Sequence, residues 1–150
     1  IPLKGFLDKL EFTGLDVNIV DYKTGNFDGA YAKESMREPF NAKGEMTNEG
    51  GAYWRQGAFY NLLISLDKIN NWNPISSEFL FVEPVKPSNE YKSKKYMIGA
   101  KDVDLLKEQI LNAWEKIQRH DFYTGCNKDT CDWCTFVKEH ELQAKLDELK

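Results

Sequence analysis

Residues 3–12, LKGFLDKLEF, and residues 17–23, VNIVDYK, alternate apolar and polar side chains with a period of two. That is the repeat of a strand with one face turned inward. Only TGLD separates the two runs. Gly14 can supply the positive φ needed at the first central position of a two-residue turn. The pair therefore reads as a β-hairpin. No other feature restricts the fold as much, because a slip of one residue would turn every side chain to the wrong face.

The hairpin also gathers charge. Lys4, Phe6, Asp8, Leu10 and Phe12 share one strand face, so Asp8 has apolar neighbours. Val17, Ile19, Asp21 and Lys23 share a face of the second strand, with Asp21 and Lys23 about 6.6 Å apart along it. A turn centred on Gly14 and Leu15 sets Asp8 opposite Asp21, with Cβ atoms about 5 Å apart. Like charges so placed destabilise a sheet. Two arrangements relieve the repulsion. A divalent cation such as Mg²⁺ can take the carboxylate oxygens, or Lys23 can form a structural ion pair. The first carries chemistry: Mg²⁺ on carboxylates beside a lysine suits phosphodiester hydrolysis. The metal polarises the phosphate and acidifies its water, and the lysine orients that water or stabilises developing charge.

Residues 24–51 hold many Gly, Asn, Lys and Glu residues and read as a long loop with room for a short helix. Residues 52–68 read as a helix with Phe59, Leu62, Leu63 and Leu66 on one stripe. Gly57 weakens that helix by ~1 kcal/mol relative to alanine. Residues 77–85 and 91–99 read as strands. Residues 102–119 read as a helix with Leu106, Ile110, Ala113, Trp114 and Ile117 inward and Asp102 as N-cap. Residues 122–136 read as irregular and 137–150 as a short charged helix. The order β-β-loop-α-β-β-α-α describes an α/β chain with a mixed sheet flanked by helices. At 150 residues it is one domain by length. No apolar run approaches the ~20 residues of a membrane-spanning helix. The start at Ile1, straight into a strand pattern, reads as part of a longer protein.

Taken together, Asp8, the D-Y-K of VDYKTG (Asp21, Tyr22, Lys23), and Gln56 and Tyr60 of RQGAFY resemble the PD-(D/E)XK nuclease superfamily. The likeness is closest to its RecB-like branch, which includes the nuclease domains of RecBCD- and AddAB-type helicase–nucleases and CRISPR-associated exonucleases. GFLDKLEF resembles the family's G-x-x-D-R-x-D strand, with Lys9 in place of the arginine. Q-x-x-x-Y on the following helix is the branch's own motif. The resemblance implies a restriction-endonuclease-like core whose first helix, with a further acidic or histidine ligand, would precede residue 1. It implies Asp8, Asp21 and the main-chain carbonyl of Tyr22 as ligands of Mg²⁺ or Mn²⁺. It implies Lys23 as the catalytic lysine, with Gln56 and Tyr60 on a helix face bordering the site. The function it implies is a DNA nuclease, exonucleolytic on single strands. It would be cytoplasmic, joined to a helicase domain in the parent chain, and paired with a partner subunit. The other reading keeps the fold as a non-catalytic DNA- or subunit-binding module.

Two features stand beside that resemblance. The net charge of −4 argues mildly against a general nucleic-acid binder. Even so, Lys86, Lys92, Lys94, Lys95 and Lys101 cluster in sequence, as do Lys33, Arg37 and Lys43. Cys126, Cys131 and Cys134 lie within nine positions, which is no disulfide framework and suits a reducing compartment or a metal site. Many RecB-like nucleases bind an iron–sulfur cluster through C-x2-C-x5-C and one upstream cysteine. Here Cys131 and Cys134 fit, His140 stands in the last slot, and no cysteine precedes Cys126. Four thiolates are the usual set, so a cluster is disfavoured. Zinc on Cys126, Cys131, Cys134 and His140 is an alternative. In the plainest reading the cysteines and Trp133 only pack.

Overall fold

The computed structural model describes residues 1–121, 126 and 130–139. The chain forms two compact units, Ile1–Glu108 and Gln109–Lys150. The first contains a four-stranded mixed sheet in the order β1-β2-β3-β4. The strands are β1 (Lys9–Thr13), β2 (Asp16–Lys23), β3 (Asn73–Phe81) and β4 (Ser93–Met97). Helix α1 (Phe27–Ala32) follows β2, and α2 (Ala52–Ser65) links β2 to β3. Helix α3 (Ala100–Gln118) follows β4, and α4 (Asp132–Glu139) lies in the second unit.

β1 and β2 pair antiparallel from Lys9 opposite Val20 to Thr13 opposite Asp16. Gly14 takes φ 65°, so the two-residue turn and its register are those expected from TGLD. β2 then pairs in parallel with β3, and β3 antiparallel with β4. A parallel partner cannot be reached by a tight turn and needs a crossover, which here contains α2. As an inner strand, β2 is buried from Val17 to Asp21. Val17 and Ile19 pack with Tyr60 and Ile64 of α2, with Leu7, Leu10, Phe59 and Trp72 around them.

Gly57 explains its own presence. A Cβ there would stand 3.0 Å from Ser77 Cβ on β3, so α2 lies almost directly on the sheet. Beneath it, Asn61 Nδ2 donates to Gly57 O at 2.9 Å and to Ser77 Oγ at 2.8 Å, and Ser77 Oγ donates to Gly57 O at 3.0 Å. The helix-weakening glycine is thus a contact surface. The buried face of α2 is Trp54, Gly57, Ala58, Asn61 and Ile64, together with Tyr60 and Leu62. This differs from the expected stripe: Leu66 is exposed, while Phe59 and Leu63 lie against Gly5. An apolar helix covered on two sides has no single stripe to read.

Other boundaries moved for physical reasons. The first strand starts at Lys9 rather than residue 3, because the preceding segment lies along α2 instead of pairing, and Phe6 is exposed. Asp8 is therefore exposed and precedes the strand, not half-buried among apolar neighbours. β3 begins earlier than expected, at Asn73, because buried Ser76 and Ser77 find polar partners in Asn18 and Gly57. Asp102 is not the N-cap of α3; it stands in the first turn and its Oδ2 accepts from Gly99 N at 3.0 Å, as the third residue of a capping box does. Its Oδ1 accepts from Trp54 Nε1 at 2.8 Å. Of the α3 stripe only Leu106 is buried, and Ala113, Trp114 and Ile117 are exposed. The cysteine segment is not wholly irregular, since α4 carries Trp133 and Cys134. The expected helix beyond residue 139 lies outside the described residues.

Replacing Gly57 with valine will force α2 off β3. Overpacking of this kind costs roughly 1–3 kcal/mol, measurable as a lower urea midpoint.

Candidate active site

Strand alternation puts Asp21 and Lys23 on the face that α2 covers, and a spacing of four on that helix aligns Gln56 with Tyr60. The four side chains form one network at the C-terminal end of β2. Lys23 Nζ lies 2.8 Å from Asp21 Oδ2 and donates to Gln56 Oε1 at 2.9 Å. An ammonium can only donate, so the Gln56 amide must turn its oxygen to Lys23. Its nitrogen then donates to Tyr60 OH at 2.6 Å and to Asp21 Oδ1 at 3.2 Å. Tyr60 OH in turn donates to Asp21 Oδ1 at 2.9 Å. Each atom's role follows from its neighbour's.

Asp21 is 6 % exposed. Its Oδ1 accepts two hydrogen bonds, whereas among the described residues Oδ2 has no directed hydrogen bond and lies against the Lys23 ammonium. A buried carboxylate oxygen left this way is costly unless a cation stands by it. Asp8 arrives from the segment just before β1. Its Oδ2 accepts from Tyr22 N at 2.9 Å, which holds a second carboxylate beside the same strand end. Two carboxylates, one buried with an oxygen whose one close partner among the described residues is a cationic group and one exposed, suit a hard divalent ion.

The phenol of Tyr60 is pushed up to about 12, first by burial and then by its bond to Asp21; the Asp8 charge acts in the same direction. Tyr60 is therefore a donor at working pH, not a base. Two residues escaped the sequence reading. Lys23 Nζ lies 5.4 Å from the Tyr53 ring centre and 5.3 Å from that of Phe79, a cation–π cradle. The available signal was that Tyr53 precedes Gln56 by one helical turn.

In the second unit, Cys126, Cys131 and Cys134 hold their sulfur atoms within 4.8 Å of one another. Cys126 and Cys134 are 3.6 Å apart. The Cys131 thiol is held below the usual thiol range, first by the Cys134 backbone amide and then by the two neighbouring thiols. Standing directly before α4, it gains from the amides of a helix start. Three close sulfurs are a soft-metal donor set. His140 lies outside the described residues.

The raised Tyr60 pKa makes stability pH-dependent. The folded chain keeps a proton that the unfolded chain loses, so this contribution is complete below about pH 10 and falls as pH approaches about 12. Tyr60→Phe will flatten that alkaline loss in thermal melts. The part from Tyr96, whose phenol burial also raises, will remain.

A model of the PD-(D/E)XK nuclease superfamily matches residues 1–138. No curated protein and no solved structure matches the chain at a significant level. The match spans the hairpin, the D-x-K strand, the crossover helix and the parallel strand beside it, the same elements that bring Asp21, Lys23, Gln56 and Tyr60 together. The chain belongs to the PD-(D/E)XK nuclease superfamily.

Proposed function

We propose that this domain is a Mg²⁺-dependent DNA nuclease of the RecB-like branch, acting on single strands as an exonuclease. In its parent protein it would serve a helicase in repair or recombination, within a reducing compartment. The observation that carries the reading is that Gln56 bonds both Asp21 and Lys23 while Tyr60 bonds Asp21. This gives the branch's Q-x-x-x-Y pair work at the D-x-K strand. Among the described residues no helix is long and apolar enough to cross a membrane.

Asp21, Asp8 and the main-chain carbonyl of Tyr22 would hold Mg²⁺ or Mn²⁺. When bound, the ion polarises the phosphodiester and acidifies the attacking water. The chain's own groups do the rest. Gln56 fixes the Lys23 ammonium where it can orient the water and stabilise negative charge on the phosphate oxygens. Tyr60 and Gln56 tie down Asp21 Oδ1, which leaves Oδ2 for the cation. Water adds to phosphorus, the P–O ester bond breaks, and the leaving oxygen takes a proton.

The cysteine trio is proposed to hold zinc in a structural site, with His140 as fourth ligand. The support is the convergence of the three sulfurs. An iron–sulfur cluster, which ordinarily takes four cysteines, is the other assignment for the same three sulfurs.

Asp21→Ala and Lys23→Ala should each lower Mg²⁺-dependent cleavage of single-stranded DNA by about a hundredfold or more, with the fold retained by circular dichroism. Unchanged cleavage in either variant removes the assignment. Salt-sensitive DNA binding without cleavage in Mg²⁺ or Mn²⁺ would instead establish the binding module. For the cysteines, the expected result is stoichiometric zinc in the purified protein and thiolate absorption after cobalt exchange, both lost in Cys131→Ser and Cys134→Ser. A metal-free protein with three titratable thiols would show that they only pack.

A further inference from the structure

Tyr22 lies between Asp21 and Lys23, yet alternation turns its ring to the opposite face of the sheet. There it meets a cavity of about 290 Å³ lined by Tyr22, Leu80, Phe81, Val82, Tyr91, Lys92 and Ser93. Tyr22, Leu80 and Ser93 stand side by side across three strands, and Val82 and Tyr91 extend the wall past the strand ends. We infer that this cavity receives the base of an unpaired nucleotide next to the phosphate held at Asp21 and Lys23. The inference rests on the nuclease reading and adds how a single strand would be chosen.

Three observations support that occupant. The first is composition. Tyr22, Tyr91 and Val82 are exposed, at 46 %, 73 % and 47 %, and among the described residues neither phenol ring has an aromatic partner. Open ring faces beside aliphatic walls suit base stacking, which tolerates any sequence. The second is charge. The one cation in the lining, Lys92, has its ammonium 3.0 Å from Asp28 Oδ1, and Ser93 Oγ donates to Glu78 Oε1 at 2.8 Å. With those groups engaged, the rest of the lining is mostly apolar, which suits a base better than a phosphate. The third is attachment. Tyr22 N is bound by Asp8 Oδ2 at 2.9 Å, and Val82 N donates to Lys23 O at 3.0 Å. Both walls are thus fixed to the backbone of the catalytic strand. A strand bending around the sheet's end would leave its phosphate on one face and its base on the other. Paired bases in a duplex could not make that turn. The volume also suits a single base, falling just short of the ~300–1,000 Å³ of sites that enclose whole small ligands.

The test measures affinity in EDTA, so that no strand is cut, with a fluorescent single-stranded oligodeoxynucleotide and its duplex as probes. Tyr91 is exposed and outside the cleavage machinery, so Tyr91→Ala should fold normally. It should weaken single-strand binding at least about fivefold, as loss of one stacked base does, while Tyr91→Phe keeps most of the affinity. An abasic residue moved along the strand should cause a similar loss at one position, and at that position Tyr91→Ala should add nothing. Unchanged affinity in Tyr91→Ala overturns the inference. So does an equal loss for duplex, which would indicate a backbone contact, and so does the absence of any sensitive abasic position. If the wild-type chain cuts DNA in Mg²⁺ but shows none of these effects, only the base pocket fails. If it neither cuts nor binds DNA, the nuclease reading fails with it.

Discussion

The structure depends on how one buried carboxylate is satisfied. Asp21 lies inside the sheet–helix interface, where an ionised oxygen without partners would cost several kcal/mol. One oxygen is met by Tyr60 and Gln56 from α2, and the other looks to a cation. This requires α2 to lie at a fixed height and rotation over β2 and β3. Gly57 lets the helix approach, and the Asn61–Ser77 bonds beneath it hold the rotation. The packing of an apolar core and the placement of a polar site are therefore one problem, solved by the same helix.

The same geometry separates the roles of the two acids. Asp21 is buried and immobilised through Oδ1, so the oxygen it presents to the Lys23 ammonium has a defined direction. Asp8 is exposed and precedes its strand, and it is held to the sheet through the Tyr22 amide. An ion between them would find one rigid ligand and one reached from solvent. Lys23 is kept in place by an amide oxygen, a carboxylate and two aromatic faces. Tyr53 and Phe79 stand with their ring centres 5.4 and 5.3 Å from the ammonium, where the ring faces attract a cation.

The hairpin and its register were readable because TGLD leaves the backbone little choice, and the helix and strand order followed from clear periodicity. Strand alternation put Asp21 and Lys23 on one face, but Gln56 and Tyr60 were singled out only through the family resemblance, since their spacing alone describes an ordinary helix face. What escaped notice depends on packing between segments far apart in sequence. The true buried face of α2 was hidden because Phe59 and Leu63 are covered by residues near the N-terminus, so the helix is apolar on two sides. The early start of β3 was hidden because Pro74 and Ser76 look like loop residues until Asn18 stands beside Ser76. Asp102 was recognised as a capping residue but assigned one turn position wrongly, since Gly99 offered no sequence signal of its own.

The two-residue turn at Gly14 and Leu15 has a consequence for how such a chain can diverge. It makes the interval between Asp8 and Asp21 a ruler of fixed length, so a single inserted or deleted residue there would separate the acids. The stretch between Lys23 and Gln56 is mostly loop and imposes no such limit. Length variation among descendants of this sequence should therefore accumulate after the D-x-K strand, and the hairpin should keep its count.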